Sequence, residues 1–382
     1  MSLDKKIIAI DTLGGDSYTI GLDGKPVPVP VVKRVMQGAI NKAKSLQETQ
    51  GDALNLELVF IGKKDEIQKE LDQAELSLPV HIEPAKIYFD SEDKTSSSLY
   101  LLLEGIGKDF DGGITIGDTA KIMIHISDKL HDELGIKGVG EFPLANYIPV
   151  RDEKQVFYVD MGANTVCRPE HLYQFAHMAR IVLQEMQGID NPKIGIVTVG
   201  EENYKGNRLV KRTMDLCERA KEYAPNIVRA EPRDVELGKV DAALLDGHTG
   251  NIVLKSVEAK AETILRSTQD AITDIVKDIL IEYQPTMEHS ERPLIKCIKE
   301  IPKDLMGQLM RQYVFQSLGA ASLYGLRSRA NKRSAILKKG HGVSGAEVIG
   351  SAISSCRAEI LAEITHKMEE YFTNEYFLPL RN

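Results

Sequence analysis

The stretch Asp246-Gly247-His248-Thr249-Gly250-Asn251, with Lys255 one turn beyond, carries residue types suited to gripping an anion. It follows the apolar run Ala242-Ala243-Leu244-Leu245 and reads as a buried strand that turns and opens a long helix. Gly247 and Gly250 allow close backbone approach, and Thr249 and Asn251 supply side-chain donors. A helix start adds unpaired N–H groups and the positive end of its dipole. In isolation, a plain strand–turn–helix connection capped by Thr or Asn would look the same. Four other expected strand ends carry a similar mixture. They are Asp11-Thr12-Leu13-Gly14-Gly15-Asp16, Gly117-Asp118-Thr119-Ala120-Lys121, Met161-Gly162-Ala163-Asn164-Thr165 and Gly200-Glu201-Glu202-Asn203-Tyr204-Lys205-Gly206-Asn207. Ligands of parallel sheets bind beyond the carboxyl ends of the strands, so five such loops predict one shared crevice, with Lys205 and Lys255 offering charge to a phosphate. G-x-x-x-x-G-K-[ST] does not occur, which excludes the usual nucleoside-triphosphate loop as the source of the glycines.

Positioning those loops requires a sheet. Strands are expected at Lys6–Asp11, Leu56–Ile61, Gly113–Ile116, Gln155–Asp160, Lys193–Val199 and Asp241–Asp246, with shorter ones at Val80–Glu83, Asn226–Arg229 and Ser334–Leu337. Several are apolar on consecutive positions, as in strands covered on both faces. Helical patterns lie between them, clearest at Glu170–Gln187, where Leu172, Phe175, Ala179, Val182, Leu183 and Met186 share a face and Pro169 sits in the first turn. This alternation predicts an α/β chain, a three-layer α/β/α domain over residues 1–382 with a mainly parallel sheet and no internal repeat. Residues 255–318 break the rhythm as a helical excursion interrupted near Gln284-Pro285 and Glu291-Arg292-Pro293. Its apolar stripe, Ile264, Leu265, Ile272, Val276, Ile279 and Leu280, suits a dimer contact, a lid or a membrane contact. Six basic residues (Arg327, Arg329, Lys332, Arg333, Lys338, Lys339) cluster just before Gly340; a solvated loop is the simplest reading.

A net charge of −8 over 382 residues excludes general attraction to nucleic acid. No apolar run approaches the ~18 residues of a membrane span, and Met1-Ser2-Leu3-Asp4-Lys5-Lys6 lacks a signal-peptide core. Cys167, Cys217, Cys297 and Cys356 form no C-x-x-C pair, which argues against a zinc site or disulfide framework and fits a reducing cytoplasm. No metal or cofactor is expected.

The run from Asp160-Met-Gly-Ala-Asn164 through Arg168-Pro-Glu-His to Met178 resembles the bacterial phosphate acyltransferases of phospholipid synthesis, the PlsX family. So do Val199-Gly-Glu-Glu-Asn-Tyr-Lys-Gly-Asn-Arg-Leu-Val-Lys-Arg-Thr213, the Asp246–Lys255 stretch, Gly319-Ala-Ala-Ser-Leu-Tyr-Gly-Leu326, Gly340-His-Gly342 and Ile10-Asp-Thr-Leu-Gly-Gly-Asp16. These motifs follow the family's order over nearly the whole chain. The resemblance implies a cytoplasmic homodimer, in some cases peripherally attached to the membrane. It would convert a fatty acyl thioester on acyl carrier protein, plus inorganic phosphate, to acyl phosphate. On this reading Lys205, Asp246 and His341 are candidate catalytic groups. Gly14, Gly15, Asp16, Gly162, Asn164, Asn207, Thr249, Gly250, Asn251 and Lys255 are candidates for holding substrate or phosphate. The six-residue basic cluster becomes a docking surface for the acidic carrier.

Three departures stand out. Gly-Asn-Thr-Gly-Ala of the family is Gly117-Asp118-Thr119-Ala120-Lys121 here, placing a carboxylate near an expected phosphate site. Asn-Val-Asp of the family appears as Asn164-Thr165-Val166, and a family Phe is His248. Cys167 fits a small buried hydrophobe better than an acyl-accepting nucleophile, and His248 is either a proton relay or a loop residue. Competing functions are a short-chain phosphotransacylase using coenzyme A or another thioester, and a non-catalytic carrier- or lipid-binding paralogue. A metal-dependent hydroxyacid dehydrogenase is more distant, since no acidic ligand cluster is apparent.

Overall fold

A computed structural model describes residues 5–20, 26–51, 54–90, 92–126, 135–200, 202, 204–220, 226–283, 319–327, 333–342 and 344–373. Runs rich in Ile, Val and Leu form strands, and segments with apolar residues every three to four positions form helices. The first are β1 (Lys6–Asp11), β2 (Tyr18–Ile20), β3 (Pro26–Pro28), α1 (Val31–Gln50), β4 (Leu56–Gly62), α2 (Lys64–Asp72) and β5 (Val80–Pro84). Then come α3 (Ser98–Gly105), β6 (Gly112–Thr115), α4 (Thr119–His125), β7 (Leu144–Pro149), β8 (Gln155–Val159), α5 (Pro169–Gln187) and β9 (Ile194–Val197). Next are α6 (Arg208–Arg219), β10 (Ile227–Ala230), α7 (Pro232–Glu236), β11 (Ala242–Leu244) and α8 (Gly247–Tyr283). The last are β12 (Ala321–Leu323), β13 (Ile336–Lys339), α9 (Ala346–Leu361) and α10 (Ile364–Thr373).

One sheet runs β10-β9-β11-β8-β7-β12-β13-β6-β1-β4-β5, and β2 pairs with β3 apart from it. Every expected strand forms. Parallel pairing joins β5, β4, β1, β6 and β13, and again β10, β9, β11 and β8. Between these two halves lie three antiparallel steps, β8 to β7, β7 to β12 and β12 to β13. An odd number of reversals means that the halves point in opposite directions. This corrects the expectation of five loops at one sheet edge. The loops after β1 and β6 leave one edge, and those after β8, β9 and β11 leave the other.

Helices cover both faces. Neighbouring residues of a strand face opposite ways: Gly112 looks onto Cys356 and Ile360 on the α9 side, whereas Gly113 looks onto Leu102 of α3 and Ile106. Register carries the second face across the sheet from Gly113 to Leu337, Leu323 and Leu144, whose same-side neighbour Asn146 pairs with Tyr158. Val156 and Tyr158 pack there against Val253, Leu254 and Val257 of α8. Thus α3 and α8 share one face, and α9 lies on the other with α1 against it. The expected α/β fold with a largely parallel sheet is the fold observed.

Of the helical excursion, α8 is described to Tyr283, and residues 284–318, including the Gln284-Pro285 break, lie outside the described residues. The start of α8 is fixed by a close approach. A Cβ on Gly250 would collide with the Asp160 carbonyl and come within 3.1 Å of Met161 Cα. Only glycine lets the first turn of α8 sit directly on the loop that ends β8.

A candidate active-site cleft bridged by one helix

β1 and β8, which open the two parallel halves, end on the same device. Buried Asp11 Oδ1 accepts from the N–H groups of Leu13 (2.9 Å) and Gly14 (3.2 Å) and from the Ser98 hydroxyl (2.6 Å), while Oδ2 accepts from the Thr115 hydroxyl (2.7 Å). Asp160 Oδ1 accepts from Gly162 N (3.0 Å), Ala163 N (2.9 Å) and Leu144 N (3.1 Å), and Oδ2 from Asn164 N (2.7 Å). Burial pushes both carboxyls up, and the donors pull them back. Each Asp thus shapes the glycine loop that follows it. Sequence reasoning left both out of the candidate site, although an Asp closing an apolar strand with glycine two or three residues on is the visible signal.

At the edge served by β1, β6 and β13, Gly15 adopts φ +116° and packs against Ile116 and the Gly342 carbonyl. Asp16 N donates to Gly342 O (3.0 Å). Buried Arg34 donates to the carbonyls of Ser344 (2.7 Å), Gly342 (3.2 Å) and Asp16, clasping the β1 and β13 loops together. His341 is exposed on the β13 loop, and Lys255 Nζ lies 3.5 Å from its Nε2. Local desolvation, then Lys255 and Lys339, lower the His341 pKa, so the ring is neutral at neutral pH. Lys339 is lowered by burial and then by Lys255. Lys255 also pairs with Glu258 at 2.8 Å. Candidates Gly14, Gly15, Asp16, His341 and Lys255 therefore gather here.

The other candidates gather at the opposite edge. Asp246 caps α8, accepting from the Thr249 N–H and hydroxyl at 2.9 Å each. Asn207 caps α6 by accepting from Val210 N (2.9 Å). Asn164 is buried, and its Nδ2 donates to Asp160 (2.7 Å) and the Phe142 carbonyl (3.0 Å). The Gly162 loop faces Asn251, Gly250 rests on Asp160, and Lys205 pairs with Glu202 at 2.8 Å. Asn207, Asp246 and Thr249 border an apolar cavity of about 310 Å³ with Thr198, Leu209 and Val253. The two groups are joined by α8 itself. It starts at the second edge and, at about 1.5 Å per residue, carries Lys255 roughly 12 Å back across the sheet to His341.

Two departures from the family pattern acquire a local account. Asp118 Oδ1 accepts from Ala120 N (2.7 Å) and Lys121 N (3.3 Å), which caps α4, and Lys121 Nζ lies 5.5 Å above the Tyr88 ring. Cys167 is no nucleophile at neutral pH, because burial and then Asp160 push its thiol up to about 12. His248 is exposed.

Two of the six basic residues, Arg327 and Lys338, are spent inside the protein and cannot belong to a docking surface. Arg327 is buried and paired with Glu369 (2.9 Å), Arg333 pairs with Asp111 (3.0 Å), and buried Lys338 pairs with Glu359 (2.6 Å). Lys339 lies close enough to Lys255 and His341 for their charges to be felt. Arg329 and Lys332 lie outside the described residues.

A family of proteins described as "Fatty acid synthesis protein" matches residues 7–283. The chain belongs to this family. The "Phosphate acyltransferase" of Staphylococcus aureus strain JH9 is 27% identical over 370 residues, 95% of this chain and 97% of the relative. The protein of the same name from strain bovine RF122 / ET3-1 matches with the same identity and coverage. A crystal structure of a phosphotransacetylase from Streptococcus pyogenes superposes with a TM-score of 0.51 at 12% identity, covering 92% of this chain and 94% of that one, and so shares the fold. Family membership places the chain among the acyltransferases, the class implied by its motifs. Among the described residues no group of three or more His, Cys, Asp or Glu is gathered as a metal ion would need, and no helix is long and apolar enough to cross a membrane.

Proposed function

We propose that the chain transfers an acyl group from acyl carrier protein to inorganic phosphate, releasing acyl phosphate for phospholipid synthesis in the cytoplasm. The observation that carries this reading is the cluster of Lys255, Lys339 and His341 beside the joined glycine loops after β1 and β13. Phosphate is already anionic at neutral pH and needs positioning more than activation. One phosphate oxygen attacks the thioester carbonyl, forming a C–O bond and an oxyanion stabilised by nearby cations and N–H groups. Collapse breaks the C–S bond. A proton taken from phosphate by neutral His341 can pass to the departing thiolate, which leaves as the carrier's thiol. No covalent acyl-enzyme is needed, which fits the poor nucleophilicity of Cys167.

The test is acyl phosphate formation by the full chain from carrier proteins loaded with acyl groups of several lengths, with and without phosphate. Phosphate-dependent product from long-chain carrier, but not from acetyl-coenzyme A, is expected. Turnover of acetyl-coenzyme A alone would make the chain a short-chain phosphotransacylase, and carrier binding without turnover would make it a binding paralogue.

A second copy of the chain is proposed to cover α8, where Ile252, Ile264 and Ile275 are 53%, 65% and 58% exposed. Apolar side chains of that size on one helix favour burial against a partner. A homodimer is the expected mass at micromolar concentration; a monomer there would sink this assignment.

A further inference from the structure

Two polar groups at the cleft have work left to do. Lys338 and Lys339 are neighbours at the end of β13, so their side chains leave opposite faces of the sheet. Lys338 enters the layer of α9 and meets Glu359. Lys339 pairs in register with Thr115, which braces Asp11, and therefore lies on the face shared by α3 and α8. There it feels Lys255, Asp118, Glu258 and Asp16. Among the described residues, however, its ammonium makes no hydrogen bond or close ion pair. Two of those carboxylates are committed elsewhere, Asp118 to the cap of α4 and Glu258 to Lys255. Lys339 is only half-buried, so this uncommitted ammonium remains open to an anionic ligand, with which it can form a charge-assisted hydrogen bond.

The second group is the Tyr88 hydroxyl. It is buried and close to Thr115 and the Asp118 backbone, yet completes a hydrogen bond with no described residue. The ring presses on Gly14 and Gly117, where any side chain would collide with it. Burial, together with Asp11 and Asp118, pushes its pKa up, so this hydroxyl keeps its proton and can only be a neutral donor or acceptor. Tyr88 and Lys339 thus flank Thr115 on one face, beside the loops of Gly14, Gly117 and His341.

We propose that Lys339 Nζ and Tyr88 Oη form the seat of the acceptor phosphate, with Lys339 supplying its principal charge and Tyr88 a hydrogen bond that fixes its orientation. The seat rests on the reading that phosphate is the acceptor. It assigns to Lys339 a substrate contact in place of carrier docking. Two groups of this kind suit a compact tetrahedral oxyanion, which can accept from an ammonium and a phenol through different oxygens.

Calorimetric titration of the full chain with inorganic phosphate, without acyl donor, tests the seat directly. Steady-state acyl phosphate formation supplies the phosphate and acyl-donor KM values. Loss of a charged hydrogen-bond partner predicts that Lys339→Met weakens phosphate binding about ten- to a hundredfold, and Tyr88→Phe, a mild change expected to fold, about three- to tenfold. The acyl-donor KM should stay within about twofold in both, which a general structural disturbance would not allow. Unchanged phosphate affinity in folded Tyr88→Phe and Lys339→Met would overturn the seat. Phosphate binding weakened by both changes, with no acyl phosphate made by the wild-type chain from any thioester, would support the seat and overturn the proposed reaction.

Discussion

Lys338→Met should destabilise the fold by about 3–5 kcal/mol, because it strands a carboxylate in the core. Glu359 and Lys338 are both nearly inaccessible, their charged atoms are 2.6 Å apart, and Glu359 also accepts from Ser322 (3.0 Å) and Tyr324 (3.0 Å). The group joins β12, β13 and α9 at the point where the two halves of the sheet meet. Without the ammonium, two neutral hydroxyls must hold a buried charge, and the carboxyl will take up a proton instead. Lys338→Met/Glu359→Leu removes both charges and should regain most of the loss, since a buried pair is often no better than an apolar replacement of similar volume. Denaturant midpoints at neutral pH read this directly. A double variant no more stable than Lys338→Met would refute the stranded-charge explanation. A single variant within about 1 kcal/mol of the wild type would refute the burial argument itself.

Much of the sheet was legible, and for one reason. Strands covered on both faces must be apolar on consecutive positions, as in Ile7-Ile8-Ala9-Ile10 and Leu58-Val59-Phe60-Ile61, and all such runs form strands. The two strands of the main sheet that escaped notice, β7 and β12, are the antiparallel ones at its centre. β7 carries Asn146 and Pro149, and β12 is only three residues long, so neither has a pattern that stands out. Yet these two reverse the second half of the sheet, and that reversal separates Lys205, Asn207 and Asp246 from His341. Loop composition was equally ambiguous. Asp and Asn at a strand–helix junction can contact a ligand or cap the helix, and Asp246, Asn207 and Asp118 all cap. What sequence did contain, unused, was the pair Lys338-Lys339 at the end of a buried strand. Strand geometry sends adjacent side chains to opposite faces, so both cannot belong to one surface patch.

His341→Gln should lower kcat for acyl phosphate formation by about a hundredfold or more while changing the phosphate KM little, since general acid–base groups commonly supply 10²–10⁴-fold. The His341 side chain is exposed on the β13 loop, and Lys255 on α8 approaches its Nε2 to 3.5 Å. Local desolvation, Lys255 and Lys339 lower its pKa, while Glu258 on α8 and Asp16 on the β1 loop act the other way and do not prevail. The unprotonated form is the one able to accept a proton from phosphate. It is fully present well above the lowered pKa and is lost as pH falls through it, so kcat should fall on the acid side below the usual histidine range. Lys255→Met removes the stronger of the two opposing charges and should move that acid limb to higher pH. Bound phosphate, being anionic, should move it the same way, leaving the limb of kcat above that of kcat/KM for the acyl donor measured at low phosphate. Profiles measured for the wild type, His341→Gln and Lys255→Met separate the possibilities. An acid limb that stays in place when Lys255 loses its charge would remove His341 as its source. A His341→Gln enzyme retaining kcat within about twofold would mean that the thiolate departs without help from this ring and that the cleft works by positioning and charge alone.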